Sequence, residues 1–488
     1  MKHLLAGLTA AATLALPGGA TAAPVPTLAW TDCGDGQYQC TPAQVPVDHR
    51  HPDGARLTLQ LRRWPASDPA RRIGTLVVYA GGPGSSGWEW VSTFATSAPP
   101  EIRDRFDIVG LDPRGVRRSQ AVSCLDGPDY RAQWARAVPP SFDTAVRLAR
   151  EWNATCLAHS GGLLPHIGTA AQARDLDLVR AALGEEQLTY FGGSYATYVG
   201  TVYANMFPGR TRAMVLDSGY HPGRYANDPY AYDYGQFRST EAALHRFLGW
   251  CAATPERCAF AGPTAAALAT KVHAILDALD ADPVRDPAGA VLVNGATMLS
   301  ELTSGLNGGT RQWVTMGANL HLAESRTGPL MTPVGQSDAA FNAVNVAVEC
   351  ADRRYPPGLA QLRARLARVA ADFPLTGPRM AYGPPAYDQT HAPACVRWPA
   401  ARHSRYPGPY RAGGSGPILV SGNTGDPDTP YADAVALSRI LTHGHLITWA
   451  GEGHTARRKS ACVAAYMYEF LLRVTAPPAG TVCRDAPI

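Results

Sequence analysis

The stretch that most narrows what this chain can become is Gly192-Gly193-Ser194-Tyr195-Ala196. It is preceded by Gln187-Leu188-Thr189-Tyr190-Phe191, a β-type run, and followed by a helical pattern reaching Phe207. A serine at a tight strand-to-helix turn is held in a strained backbone, so the residues two positions to either side must be small. Gly192 and Ala196 meet that demand. Such a turn presents the Ser194 hydroxyl near a helix N-terminus, whose dipole favours developing negative charge. The bland alternative is a simple Gly-Gly-Ser turn, and the strand and helix around it argue otherwise.

The rest of the chain repeats this strand-then-helix rhythm. Apolar runs occur at Gly74–Tyr79, Phe106–Leu111, Arg212–Asp217, Pro417–Ser421 and His445–Trp449. Helical patterns occupy Phe142–Cys156, Thr169–Leu183 and Lys459–Val474. Short buried strands alternating with helices predict an α/β fold, a mostly parallel sheet covered on both faces. The alternation stops near Tyr220 and resumes near Pro417. Between them the pattern is helical, clearest at Thr240–Trp250, Thr264–Leu279 and Ser337–Asp352. The expected organisation is a core formed by residues 23–219 and 417–488, interrupted by a mainly helical cap at 220–416.

A serine alkoxide attacking a carbonyl creates an oxyanion, which needs preorganised N–H donors. One expected donor is the backbone N–H of Tyr195. The other belongs to the loop after an early strand, Gly81-Gly82-Pro83-Gly84, with Gly82 preferred and Gly81 next to it. No Gly-Lys-Ser/Thr follows these glycines, so they do not form a phosphate loop. A neutral hydroxyl also needs a base, and the base a carboxylate to orient it. Chain order Ser, acid, His places the acid in Gly425-Asp426-Pro427-Asp428-Thr429-Pro430, after a strand, and the base at Gly453-His454, after the last strand. Asp426 is nearer the strand end than its rival Asp428. The expected triad is Ser194, Asp426 and His454, on an α/β-hydrolase fold whose cap is inserted before the acid.

The N-terminus carries an address. Lys2 and His3 precede an apolar stretch, Leu4 to Leu16, then Pro17-Gly18-Gly19 and an Ala20-Thr21-Ala22 cleavage site. Residues 1–22 therefore read as a secretory signal peptide, too short to span a bilayer. No later run of 18 apolar residues occurs, so no membrane attachment is expected after cleavage. All ten cysteines lie beyond this segment, an even number that in an exported chain reads as disulfides. Spacing suggests pairing in order along the chain: Cys33 with Cys40, Cys124 with Cys156, Cys251 with Cys258, Cys350 with Cys395 and Cys462 with Cys483. No C-x-x-C and no zinc-finger histidine spacing is present, so no metal and no cofactor is expected. A formal charge of +4 with scattered basic residues argues against nucleic-acid binding.

Together, Gly81-Gly82-Pro83-Gly84-Ser85-Ser86-Gly87, Asp112-Pro113-Arg114-Gly115, Gly192-Gly193-Ser194-Tyr195-Ala196-Thr197, Asp426-Pro427-Asp428-Thr429-Pro430 and Gly453-His454 resemble the tripeptidyl aminopeptidase family. These are secreted bacterial serine exopeptidases related to proline iminopeptidases. Departures from the family pattern are Ala80, Ala196 and Arg117, none of which removes a catalytic group. The resemblance implies release of short peptides, typically tripeptides, from substrates with a free N-terminus. It also draws attention to Ala347-Val348-Glu349-Cys350-Ala351-Asp352, similar to an acidic cap helix of the family. Glu349 and Asp352 lie three apart and share a helix face, so they are expected to receive the substrate ammonium together. Arg114 reads as a structural turn residue. A secreted esterase or lipase with the same triad stays open as an alternative, and a non-catalytic binding protein on this fold as a second.

Overall fold

The computed structural model describes residues 23–34, 36–326, 339–387 and 390–487. The expected signal peptide lies outside them. Seven strands precede the cap: β1 (Thr31–Asp32), β2 (Gln39–Pro46), β3 (Arg56–Trp64), β4 (Gly74–Tyr79), β5 (Phe106–Asp112), β6 (Leu188–Gly193) and β7 (Thr211–Asp217). The cap contributes β8 (Val284–Arg285) and β9 (Val291–Val293), and the chain ends with β10 (Ile418–Gly425), β11 (Gly444–Glu452) and β12 (Val482–Cys483). Ten of these form one sheet in the order β1-β2-β3-β5-β4-β6-β7-β10-β11-β12. From β5 to β12 every pairing is parallel, and the β1–β3 edge is antiparallel.

Strand side chains alternate between two buried layers, as the pleat requires. Val77, Tyr79, Tyr190, Met214 and Val420 enter one core with helices Thr169–Ala182 and Tyr195–Met206. Leu76, Val78, Phe191, Val215 and Ile447 enter the other with helices Gly87–Ser97 and Ala461–Arg473. Every residue of β4 and β6 is buried, which explains their continuous apolar sequence. The sheet therefore carries β4, β6, β10 and β11 close together, and the segments expected to hold the triad and the oxyanion donors all follow the carboxyl ends of these strands.

Between β7 and β10 the chain is mostly helical, including Pro229–Ala253, Ala265–Ala281, Gly295–Asn307 and Ala339–Asp352. The β8–β9 hairpin is a departure from the helical pattern expected there. Asp286-Pro287-Ala288-Gly289 makes its turn: Ala290 N–H donates to the Asp286 carboxylate, and Gly289 adopts φ +87°. Arg114 is fully buried and gives a two-pronged contact to Asp175, both bonds at 2.7 Å. It also donates to the carbonyls of Pro46, Val47 and His166. This guanidinium thus ties the entry strands to the helix Thr169–Ala182.

All ten cysteines are paired, and the pairing follows chain order. Cys350–Cys395 anchors the helix bearing Glu349 to the short helix Ala392–Cys395. Denatured, unreduced protein is expected to titrate no thiol, and reduction is expected to lower the melting temperature. Bridges of this kind contribute about 2–4 kcal/mol each, less where the closed loop is short. Two or more reactive thiols in unreduced protein would contradict the five-bridge arrangement.

Candidate active site

Ser194 stands between β6 and the helix Tyr195–Met206 with φ 59° and ψ −131°. This left-handed conformation is costly for a residue with a Cβ, and it is held by backbone bonds on both sides. Ser194 N–H donates to Asp217 O at 2.8 Å, and Ser194 O accepts from Thr197 N–H and from its hydroxyl. A Cβ on Gly192 would stand 2.9 Å from Ala196 Cβ, so the small residues around Ser194 are a steric requirement. Ser218 and Thr455, which flank the site, also have positive φ. Thr455 N–H donates to Ser218 Oγ, and Ser218 Oγ–H donates to Asp426 Oδ2.

Asp426 lies at the end of β10 and receives its ligands from its own turn. Asp428 N–H and Thr429 N–H donate to Oδ1, and Thr429 Oγ–H donates to Oδ2. The His454 ring meets both of its oxygens through Nδ1, at 3.0 and 3.1 Å. Burial works to raise the Asp426 carboxyl, but His454 and these donors outweigh it and hold it below its usual range. Burial works to lower the His454 imidazole, and the Asp426 charge, followed by that of Asp428, overcomes it and raises it to about 9. Asp428 does not touch Nδ1. Its Oδ2 lies 3.6 Å from Nε2, on the opposite edge of the ring. By spacing the two aspartates are rivals for one role; in the structure they lie at opposite edges of the imidazole.

Ser194 and His454 line a cavity of about 800 Å³ together with Gly81, Gly82, Tyr387 and the cap residues Ser300 and Glu301. Gly82 adopts φ +108°, which favours glycine, and its missing Cβ leaves room for Phe341. A Cβ on Gly81 would press within 2.8 Å of Gly193 O, so this loop passes directly over the Ser194 turn. Tyr195 follows Ser194 as the first residue of its helix, which starts at the floor of the same cavity.

A second, smaller chamber of about 50 Å³ shares Gly82 and Tyr387 with the first. Its walls include Asp233, Glu349, Asp428 and Arg353. Arg353 Nη1 donates to Glu349 at 2.7 Å, and Nη2 donates to Asp233. Tyr225 O–H also donates to Glu349. His391, another wall residue, is neutral, since burial and then Arg353 lower it to about 3. Three carboxylates thus surround the chamber against one guanidinium.

The expectation that Glu349 and Asp352 act as a pair is corrected. Asp352 is not part of the chamber wall. Its carboxylate accepts from Thr169 N–H and Thr169 Oγ–H, joining the cap helix to the core. Burial raises it to about 7 against those bonds, which makes it a poor partner for a cation. Helix periodicity placed both residues on one face, and the roughly 60° between positions three apart is enough to separate a chamber wall from an interhelical contact. Asp233 and Arg353 were not anticipated. Their only sequence cue is a charge within a tyrosine-rich helix, Tyr230-Ala231-Tyr232-Asp233-Tyr234, and one beside Asp352.

Residues 382–483 match the family described as TAP-like protein, and residues 74–249 match the alpha/beta hydrolase fold. The tripeptidyl aminopeptidase of Streptomyces lividans is 31% identical over 441 residues, covering 86% of this chain and 79% of that protein. The chain belongs to the tripeptidyl aminopeptidase family of α/β-hydrolases. Serine protease Hip1 of Mycobacterium tuberculosis is 31% identical over 491 residues, covering 93% of this chain and 90% of that protein. Carboxylesterase B of the same organism is 32% identical over 468 residues, covering 91% and 86%. As a member of the tripeptidyl aminopeptidase family, the protein is a serine hydrolase, and its peptidase relatives make it a serine peptidase on this fold. Among the described residues no helix is long and apolar enough to cross a membrane.

Proposed function

We infer that the protein is a secreted serine exopeptidase that releases short peptides, typically tripeptides, from free N-termini. Ser194 is the nucleophile and His454 its base, with Asp426 orienting the ring through Nδ1. Gly82 and Tyr195 N–H groups receive the oxyanion. His454 takes the Ser194 proton as the acyl-enzyme forms and returns it to the leaving amine; water then repeats the cycle in reverse. Ten paired cysteines and the leader at residues 1–22 support an oxidising, extracellular location. The domain reading follows the same lines: a core split into 23–219 and 417–488, with the cap at 220–416 roofing the site. Peptides with a free amine are the partners this arrangement takes; neither a metal nor a cofactor has a part in it.

The observation that carries the exopeptidase reading is the acidic chamber beside Gly82. A buried site with more carboxylates than cations suits an ammonium, because charge attraction is stronger where water is excluded. Glu349 is the residue through which it is tested. Glu349→Gln is expected to cut kcat/KM for a free-amine tripeptide anilide by roughly 100-fold, mostly through KM, matching about 3 kcal/mol for losing one partner of a buried charge pair. Asp233 keeps Arg353 paired in this variant, so the fold is retained. An acetylated tripeptide and p-nitrophenyl acetate, which carry no ammonium, are expected to be little affected. Equal activity of the wild-type enzyme on free and acetylated tripeptides would favour the esterase reading, to which the similarity with carboxylesterase B lends support.

A further inference from the structure

We propose that Asp428 is a positioning residue that couples arrival of the substrate amine to release of His454 for proton transfer; this rests on the exopeptidase reading above. Two carboxylates bracket the imidazole. Asp426 holds Nδ1, as a triad acid must, but the side that has to accept the Ser194 proton faces a second carboxylate, Asp428, at 3.6 Å. Nε2 is buried and has no hydrogen-bond partner among the described residues. A proton on Nε2 is therefore attracted from its own side, and the two carboxylates favour the imidazolium, which cannot act as a base. The raised His454 value, in which Asp428 contributes, agrees with this geometry.

Asp428 also belongs to the other cavity. It lines the acidic chamber opposite Glu349, and it is fixed there by Tyr387 O–H on Oδ2 and Gln236 Nε2–H on Oδ1. Both groups donate; burial, with the charges of Asp426 and Glu349, nevertheless outweighs His454 and the Tyr387 bond and raises the Asp428 carboxyl above its ordinary value. An ammonium entering the chamber offsets the charge of Asp428. Its hold on the Nε2 proton weakens, the proton passes to solvent, and the freed lone pair becomes available in the cavity that His454 shares with Ser194. An uncharged substrate leaves the hold in place. The enzyme thus becomes fully basic only when a free amine is bound.

Other groups facing His454 do not supply this coupling. Thr429 Oγ lies 3.2 Å from Nδ1, the Asp426 side of the ring. Lys459 donates to the His454 carbonyl and disfavours the imidazolium, and the cap meets the backbone N–H through Asn307 O. Around Asp428 the other titratable groups are Asp426, Tyr220 and Tyr232 and, in the chamber wall, Glu349, Asp233, His391 and Arg353; the one cation among these, Arg353, is already paired with Glu349 and Asp233.

The test is a change of opposite sign on two substrates. Asp428→Asn is expected to move the acid limb of kcat/KM for p-nitrophenyl acetate about one pH unit lower, raising ester hydrolysis at pH 7 roughly tenfold. The same variant is expected to lower kcat/KM for a free-amine tripeptide anilide by roughly tenfold or more. A structural role would lower both and leave the limb in place, and that result would overturn the proposal. Imidazole NMR supplies a readout independent of turnover: saturating alaninamide, an amine without a cleavable anilide, is expected to lower the His454 midpoint in the wild-type enzyme. An unmoved midpoint would also overturn it. Failure of the exopeptidase reading is seen separately, as wild-type indifference to substrate acetylation.

Discussion

Ser194→Ala and His454→Ala are each expected to lower kcat by at least ~10³-fold on peptide and ester substrates alike, with folding intact, because the proposed proton relay is lost whatever the acyl group. Circular dichroism and thermal melting check the fold, and active-site titration with a fluorophosphonate separates the two variants from wild type. Ser194 makes its structural bonds through its backbone, so the alanine variant keeps the turn. Asp426→Ala is expected to lower kcat less and to cost more stability, since Ser218 and Thr429 lose the acceptor they share. As the proposed base His454 must be neutral to act, and its imidazole is raised to about 9 by the carboxylates beside it. Activity on a neutral ester therefore climbs with pH through that region. An ester profile already flat at pH 7 would remove the double-carboxylate environment from the explanation.

The second large effect concerns stability. Asp175→Ala is expected to destabilise the fold by about 3–5 kcal/mol, the cost of leaving a buried charge without its partner. Arg114 is fully buried, and Asp175 provides both of its carboxylate contacts. Three backbone carbonyls continue to accept from the guanidinium, but they carry no charge to balance it. Urea or thermal unfolding reads the loss. Burial favours a neutral Asp175, yet Arg114 and His49 outweigh it and hold the carboxyl below its ordinary value. Its stabilisation is thus complete above the unfolded value of about 4 and lost as pH falls through the lowered one. A variant that melts with wild type would make the Arg114 cluster dispensable.

Local features carried the fold. β4 is buried at every position and was legible as Gly74–Tyr79, end to end. The turn at Ser194 was legible because a strained serine restricts its neighbours, and sterics of that kind leave a mark in sequence. What stayed hidden depended on contacts across the cap. Asp233 and Glu349 are 116 positions apart and meet only through Arg353. Asp352 sits on an acidic helix face, as periodicity indicated, but which neighbour that face meets is decided by packing. Asp428 illustrates the same limit at close range: two residues from Asp426 in sequence, it lies at the other edge of the same ring.

The order in which the cysteines pair has a consequence for how the molecule can be made. The five loops follow one another along the chain; none encloses another and none crosses. A polypeptide emerging from its N-terminus can close each loop as soon as the second cysteine appears, before the next pair arrives. No early cysteine has to be kept waiting for a distant one, and no bridge must be undone to let a later segment through. The interruption of the core by the cap, the most complicated step in the topology, is thereby spanned by no covalent link, and the two parts of the core find each other through β7 and β10 alone in the sheet.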